Sequence, residues 1–415
     1  MMQTPATSAG RLNWRTRYPA LTYPNYRLWF LGQMVSLFGT WMQMTAQGYL
    51  IFELTHSAAY LGYASFASGL PTWLFTLYGG VIADRLPRRN LLVITQTCMM
   101  TLALILATLT ALHLVQPWHI LVLAFLLGVA NAFDAPARQA FTLEMVERHD
   151  LANAIALNST MFNSASAVGP AVGGMTYSLV GPSWCFFLNG ASFIAIIVSL
   201  LLMKLKPHVK PVRSKSTLGE LGDGLRYAAG QPIVRTILLL MATISLFAMS
   251  YGTLMPAWAV RILNGDATTN GLLQSARGSG ALISALVVAS MGRFRAKGKL
   301  LTASTFALPI VLLLFSQARW LPLSLLLLAG VGLSHMPIMM MANTLVQTQV
   351  PDALRGRVMS LYTIVFMGMM PLGNLQAGTI ASRFGAPFAV GLGATVCALA
   401  ALLILWRLPQ LRRLE

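Results

Sequence analysis

The chain has 415 residues, of which 56% are hydrophobic and only 10% charged, and its mean hydropathy is +0.67. Soluble cores cannot bury so much apolar surface, so the sequence predicts a membrane protein. The net charge of +18 does not indicate a nucleic-acid binder, because the basic residues are dispersed at the ends of apolar segments.

Apolar segments of about 20 residues, long enough to cross a bilayer as a helix, recur twelve times. Lys and Arg favour one set of alternate loops: 25 lie on one side, 3 on the other and 1 inside a span. Because cytoplasmic loops carry the excess of positive charge, we expect a multi-pass protein of the cytoplasmic membrane with both termini in the cytoplasm. The predicted spans are 28–52, 58–83, 91–112, 118–138, 152–180, 184–203, 233–260, 270–292, 300–317, 321–347, 356–382 and 386–406.

A polar connector divides the spans six and six, and the halves repeat. A shift of 204 residues places Gly174 on Gly378 and Gly181 on Gly385. The sequence therefore predicts an all-α membrane protein with twelve transmembrane helices in two pseudo-symmetric six-helix bundles, and a substrate site between them near the midplane. The predicted divisions are an N-terminal segment (1–27), a first bundle (28–203), a linker (204–232), a second bundle (233–406) and a tail (407–415).

The first span carries five polar residues at helical spacing, so they form one narrow stripe. Polar side chains facing lipid would be unsatisfied, and the stripe must face either a neighbouring helix or a wet cavity. Both alternatives stay open, and the residues of the stripe that we assign to the substrate cavity are Gln33, Thr40, Gln43 and Gln47. The members of the whole stripe are Gln33, Ser36, Thr40, Gln43 and Gln47.

The loop after the second span contains Gly80-x-x-x-Asp84-Arg85-x-Pro87-Arg88-Arg89. It resembles the signature loop of the major facilitator superfamily, with Pro87 where that family more often has glycine. The resemblance implies the major facilitator fold, and a gate at which this aspartate meets the start of the eleventh helix. The implied cytoplasmic gate residues are Gly80, Asp84, Arg85, Arg88, Arg89, Arg355 and Arg357.

Asp134 is the sole acid placed within a span interior. A buried charge there is costly, and Arg138 lies one helical turn away as a partner. We predict that the pair carries or relays the coupling proton. The alternative is a static ion pair near the cytoplasmic mouth.

The fifth span contains Gly169-Pro170-Ala171-Val172-Gly173-Gly174. It resembles the later part of a motif that marks exporters, especially proton-driven drug antiporters. Segments such as Asn131–Phe141 resemble the branch of enterobactin exporters and macrolide efflux pumps, although Ser166 stands where that branch often has arginine. Gly169, Pro170, Gly173 and Gly174 are expected to bend the helix and let its neighbours approach.

Two residues of the second half are further candidates for the substrate cavity. Arg277 is the one basic residue well inside an apolar segment, and it either lines the cavity or snorkels to the outer surface. His335 precedes a proline in the tenth span and either lines the cavity or is a packed hydrogen-bond partner.

Nothing in the sequence indicates an enzyme, a metal site or a cofactor. Cys98, Cys185 and Cys397 lie in apolar segments without metal-ligand spacing, and no nucleotide-binding loop is present. We therefore expect an ion gradient to drive a monomeric exporter of a small, largely apolar molecule, drug-like or siderophore-like, by alternating access in exchange for protons. The alternatives are a proton-coupled uptake symporter and a non-transporting membrane receptor or scaffold.

Overall fold

The structure, a computed structural model, describes residues 18–205, 217–291 and 296–407. Most of the predicted N-terminal segment, part of the linker and nearly all of the tail lie outside the described residues. The described part is almost entirely helical and contains no β-strand. A short helix between the halves in sequence, Thr217–Gly230, is called the linker helix. The long helices are α1 (Pro24–Thr55), α2 (Ala58–Arg85), α3 (Arg88–Ala111), α4 (Pro117–Met145), α5 (Leu151–Val180), α6 (Pro182–Leu202), α7 (Pro232–Arg261), α8 (Ala267–Ser290), α9 (Lys297–Gln317), α10 (Leu321–Gln349), α11 (Asp352–Phe384) and α12 (Ala386–Arg407).

The ends of these helices follow from local residue chemistry. Proline begins α1, α4, α6 and α7, where its missing N–H costs no helical hydrogen bond. Gly181 and Gly385, which the repeat aligns, end α5 and α11 with φ of 94° and 88°. Glycine adopts this region without strain, so both halves stop the equivalent helix in the same way.

Nine of the long helices in the described part are apolar enough to cross a membrane by length and composition, namely all except α1, α2 and α5. Those three have 32, 28 and 30 residues, which is sufficient length. They pack where the halves meet, so part of each surface faces protein and not lipid. The all-α membrane fold is confirmed, while the crossing of the membrane by all twelve helices stays a prediction.

The repeat seen in the sequence also governs the packing. In the first half, α2 packs on α4, α3 on α4 and α6, and α1 on α5 and α6. In the second half the contacts recur between helices six further on: α8 with α10, α9 with α10 and α12, and α7 with α11 and α12. The two bundles are therefore pseudo-symmetric, as predicted.

The halves meet mainly through α2 with α11 and α5 with α8. Hydrogen bonds between them concentrate where α1 ends and α2 begins, which we call the distal end; the opposite end is called the basic end. Ser65 and Thr253 hydroxyls lie 3.2 Å apart there, and Thr268 donates to Ser178 at 2.9 Å. Arg261 donates to the carbonyl of His56. The halves are therefore tied together at the distal end.

Asp266 strengthens this distal contact between α5 and α8. Its carboxylate accepts from the backbone N–H of Thr269 at 2.9 Å and from the Ser178 hydroxyl at 3.4 Å. Burial raises the pKa of Asp266, but the hydrogen bonds from Thr269 and Ser178 outweigh burial and hold the pKa below its usual range. The ionised carboxylate thus caps α8 and reaches across to the first half.

Candidate functional site

Polar and aromatic side chains from both halves meet near the middle of the bundle. The guanidinium carbon of Arg277 on α8 lies 6.0 Å from the ring centroid of Trp41 on α1. The Tyr251 hydroxyl on α7 and the His335 imidazole on α10 lie within electrostatic range of the same guanidinium. Trp41, Arg277 and His335 each lie near the midpoint of a helix. We call Trp41, Tyr251, Arg277 and His335 the midplane cluster.

Several polar atoms in and beside the midplane cluster have no hydrogen-bond partner in the described part of the chain. Tyr251 is 3% exposed, yet its hydroxyl has no hydrogen bond of good geometry although Arg277 is close. Nε2 of His335 is buried and unpartnered, and so is the hydroxyl of Tyr362, one turn before Phe366, whose ring stacks on His335 at 6.5 Å. Because buried polar groups are normally satisfied, such atoms indicate where a ligand or water binds.

Arg277 extends toward the other half of the bundle and not toward the distal surface. It lies ten residues after Ala267, the first residue of α8, or about 15 Å along the helix axis. Its guanidinium is directed at Trp41 of the first half. This direction favours the cavity interpretation of Arg277 over snorkelling.

A polar brace lies one turn from Arg277 on the distal side. Asn270 donates to the backbone carbonyl of Thr45 at 3.4 Å, and Gln274 donates to Asn270 at 3.2 Å. The Thr45 hydroxyl lies 3.5 Å from the Gln274 side-chain oxygen. These contacts join α1 to α8 and separate the midplane cluster from the distal end.

The polar stripe of α1 divides between two environments. Gln43 is 6% exposed and accepts a hydrogen bond of 2.7 Å from Asn189 of α6, and Gln33 and Ser36 are equally buried. Thr40 and Gln47 are only half-buried. The geometry favours helix packing for Gln43, while Thr40 and Gln47 keep surface available to a cavity.

The glycines of the α5 motif lie at helix contacts. A methyl carbon added at Gly169 would lie 2.6 Å from Cβ of Trp41, and one at Gly174 would lie 2.4 Å from the carbonyl oxygen of Ala267 on α8. Gly173 packs equally closely on Met42 of α1. Beside Pro170, the Ala171 N–H donates to Ser275 of α8 at 2.8 Å. The motif therefore joins α5 to both α1 and α8.

Asp134 of α4 faces α3 inside the first half. It is 1% exposed, and its Oδ1 accepts from Thr95 at 2.9 Å and from Gln96 at 2.8 Å. Its Oδ2 faces Nε of Arg138 at 3.4 Å and has no hydrogen bond. The predicted pair is therefore present, and Oδ2 is the carboxylate atom that faces Arg138 without a hydrogen bond from a described residue.

The basic residues assigned to the gate contact elements of their own half or the linker helix. Arg88 pairs with Glu144 at 2.6 Å, and Arg89 donates to the carbonyl of Met203 at 3.4 Å. Arg355 pairs with Asp352 at 2.5 Å. Arg357 pairs with Asp223 of the linker helix at 2.9 Å. Arg85 is exposed, and the side chain of Asp84 lies outside the described part of the chain.

The close contact between α2 and α4 at the basic end involves Gly79 and not Gly80. A methyl carbon at Gly79 would lie 2.2 Å from the carbonyl oxygen of Ala132, whereas one at Gly80 would meet no atom within 4 Å. In this conformation Gly79 is the residue that needs to be small.

The break in α7 and the residue that it presents, Tyr251, were not predicted from the sequence. The helix changes to π-helix over Ile244–Ala248 and to 3-10 helix over Met249–Leu254. Tyr251 lies in the second of these turns. Such irregular turns within helices are frequent at functional sites. Gly252 within the break and Pro256 just after it were the available signal.

Two six-helix bundles related by an internal repeat, with a polar cluster near the midplane between them, define a secondary transporter of the membrane. The chain belongs to the transmembrane secretion effector family of the major facilitator superfamily, which it matches over residues 16–415. The superfamily and the transporter class are therefore confirmed.

Similar proteins include exporters. The chain is 27% identical to the multidrug efflux pump Tap of Mycolicibacterium fortuitum, over 91% of this chain and 94% of that one. It is 28% identical to the enterobactin exporter EntS of Shigella boydii, over 94% of both. A bacterial homologue of the lysosomal transporter Spinster, solved in an inward-facing, unoccupied conformation, superposes with a TM-score of 0.67 at 15% identity and covers 92% of this chain and 95% of its own. That last likeness shows the fold alone.

Proposed function

We propose that this transporter exports a small, largely apolar molecule by alternating access, in exchange for protons. The observation that carries the proposal is the midplane cluster, which lies between the halves while polar contacts tie the halves together on its distal side. A site between two rocking bundles can open to one face and then to the other.

The direction of transport follows from charge and resemblance. The excess of Lys and Arg at the basic end supports a cytoplasmic location for that end and for both termini. The distal end is then the outer face. The α5 motif and the similarity to a multidrug efflux pump and an enterobactin exporter favour export over uptake.

Proton coupling is assigned to Asp134 and Arg138. Their ion pair and the donors Thr95 and Gln96 enclose the carboxylate, so protonation at Oδ2 requires Arg138 to withdraw. Because α4 also packs on α2, which contacts the second half, a change at this pair can reach the junction of the halves. The static ion pair remains the alternative.

An efflux screen across drug and siderophore panels, in a host that lacks its own pumps, tests the proposal. Expression should lower accumulation of at least one compound, and dissipating the proton gradient should abolish the effect. Accumulation that rises with expression indicates uptake. Binding of a compound with no flux in reconstituted vesicles indicates a receptor.

A further inference from the structure

Arg277 is a midplane cation, and it pairs with no carboxylate of a described residue. None of the ion pairs between described residues includes it. A charge in the bilayer interior is costly and is normally compensated, so such a residue marks a binding site or pathway. In this conformation the π face of Trp41 offsets part of the charge.

Acidic residues of the long helices in the first half are engaged with other partners. Glu53 near the end of α1 accepts a hydrogen bond from Tyr177 at the distal end, and Asp134 of α4 faces α3. The midplane cluster therefore has a positive charge without a neighbouring carboxylate among the described residues. Such a site favours an anionic ligand over a cationic one.

The shapes of the surrounding groups narrow the chemistry of that anion. A guanidinium is planar and binds a carboxylate through two parallel hydrogen bonds. Trp41 lies against the guanidinium of Arg277 and Phe366 against the imidazole of His335, so each polar group adjoins an aromatic ring. The unpartnered Tyr251 hydroxyl and His335 Nε2 can hydrogen-bond further oxygens of the same ligand.

We propose that the midplane cluster binds the oxyanion of an aromatic acid, with Arg277 as the ligand of the anionic group and Trp41 against the ring. This inference rests on the proposed transport function and narrows its substrate to largely apolar molecules that carry one acidic group. Tyr251 and Trp41 thereby become binding residues alongside Arg277 and His335.

Direct binding to matched pairs of compounds tests the proposal. The purified protein in nanodiscs of zwitterionic lipid is titrated with a panel of aryl carboxylic acids, beginning with naphthoic acid, and with the primary amide of each. The amide keeps the shape and removes the charge. We expect at least one acid to bind about tenfold more tightly than its amide, which corresponds to about 1.4 kcal/mol. Equal binding across every pair would overturn the proposal.

Variants of the protein test whether Arg277 causes the preference for the acid over the amide. Arg277→Gln should lower the affinity for the acid to that for the amide, and Arg277→Lys should retain part of the difference. Arg383→Gln is the matched control, because this exposed arginine lies in the last turn of α11 and its loss also removes one positive charge. An acid preference that survives Arg277→Gln contradicts the assignment.

A measurement on the unmodified protein covers the case in which Arg277→Gln does not fold. Phenylglyoxal modifies accessible arginines, and mass spectrometry of the digested protein reports each site. A bound acid should protect Arg277 and leave Arg383 reactive, while the amide should protect neither. Equal modification of Arg277 with and without the acid contradicts the proposal.

Two further measurements distinguish the possible sources of the anion and separate binding from transport. Protection of Arg277 by chloride, inorganic phosphate or phosphatidylglycerol equal to that by the aromatic acid would mean a general anion site and overturn the aromatic part. Efflux of the bound acid is measured separately in vesicles. Binding without flux would count against the transport function and leave the binding site standing.

Discussion

Asn189 of α6 donates a hydrogen bond of 2.7 Å to the side-chain oxygen of Gln43 on α1, and both residues are buried. The bond lies within the first half, so Gln43 is satisfied by a packed neighbour in this conformation. A residue assigned from its stripe to the substrate cavity therefore has a structural partner.

Gln43→Leu should lower stability because it removes the acceptor of the Asn189 amide. Side-chain hydrogen bonds between membrane helices contribute about 0.6 kcal/mol on average and at most about 1.7 kcal/mol. Thermal unfolding in detergent measures the loss. Gln47→Leu is the matched control, since Gln47 is half-buried on the same stripe and should change substrate preference more than stability. If Gln43→Leu changes substrate preference more than stability, Gln43 lines the cavity.

Gly79→Ala should disturb the packing of α2 on α4, because the added methyl would lie 2.2 Å from the carbonyl oxygen of Ala132. Overpacking of this kind costs about 1–3 kcal/mol. Gly80→Ala should leave stability unchanged or slightly raised, since its methyl would meet open space. Melting temperatures compare the two. Loss of transport in a stable Gly80→Ala protein would indicate that Gly80 makes its contact in another conformation, as the gate hypothesis requires.

Gly278→Ala should separate the halves at their α5–α8 contact. Its methyl would lie 2.2 Å from the carbonyl oxygen of Ser166, a backbone atom that cannot rotate away. We expect faster maleimide labelling of a cysteine placed at Ser178, near the distal end. Gly222→Ala in the linker helix is the control, because its methyl would meet no atom within 4 Å. Unchanged labelling would show that α8 shifts without opening the distal end.

Asp134→Asn should abolish efflux against a gradient and leave downhill exchange of substrate measurable. The variant keeps the shape and the hydrogen bonds to Thr95 and Gln96 but cannot take up and release a proton. Vesicles with an imposed proton gradient measure both activities. If the variant still concentrates substrate with the original proton stoichiometry, the ion pair with Arg138 is static.

Asp223→Asn and Arg357→Gln should change cysteine accessibility at the basic end to the same extent. The double variant should change it no further. Their ion pair of 2.9 Å joins the linker helix to α11. The side chains are 51% and 23% exposed, so the pair adds at most about 1 kcal/mol to stability. We therefore expect a small change in stability and a measurable change in cysteine accessibility at the basic end. Additive effects of the two variants would mean that they act through different partners.

The sequence by itself determined the fold. Two six-helix bundles are predicted by the span-length apolar segments, the asymmetry of Lys and Arg and the repeat at 204 residues. An apolar segment of about 20 residues satisfies its own backbone hydrogen bonds in lipid as a helix, and similar sequences pack in similar ways. Gly181 and Gly385 illustrate this, since their aligned positions end α5 and α11 with the same backbone conformation. The candidate residues Arg277 and His335 were also recognisable, as polar groups in apolar surroundings.

Only the tertiary structure decided which polar residues face one another. Spacing along α1 shows that Gln43 and Gln47 share a stripe, but not that Asn189 of α6 reaches the first and leaves the second half-buried. Likewise Tyr251 enters the midplane cluster only because α7 breaks from regular helix at that point. Helical periodicity fixes the direction of a side chain relative to its own axis, whereas its partner depends on how neighbouring helices are rotated and spaced by contacts far away in sequence.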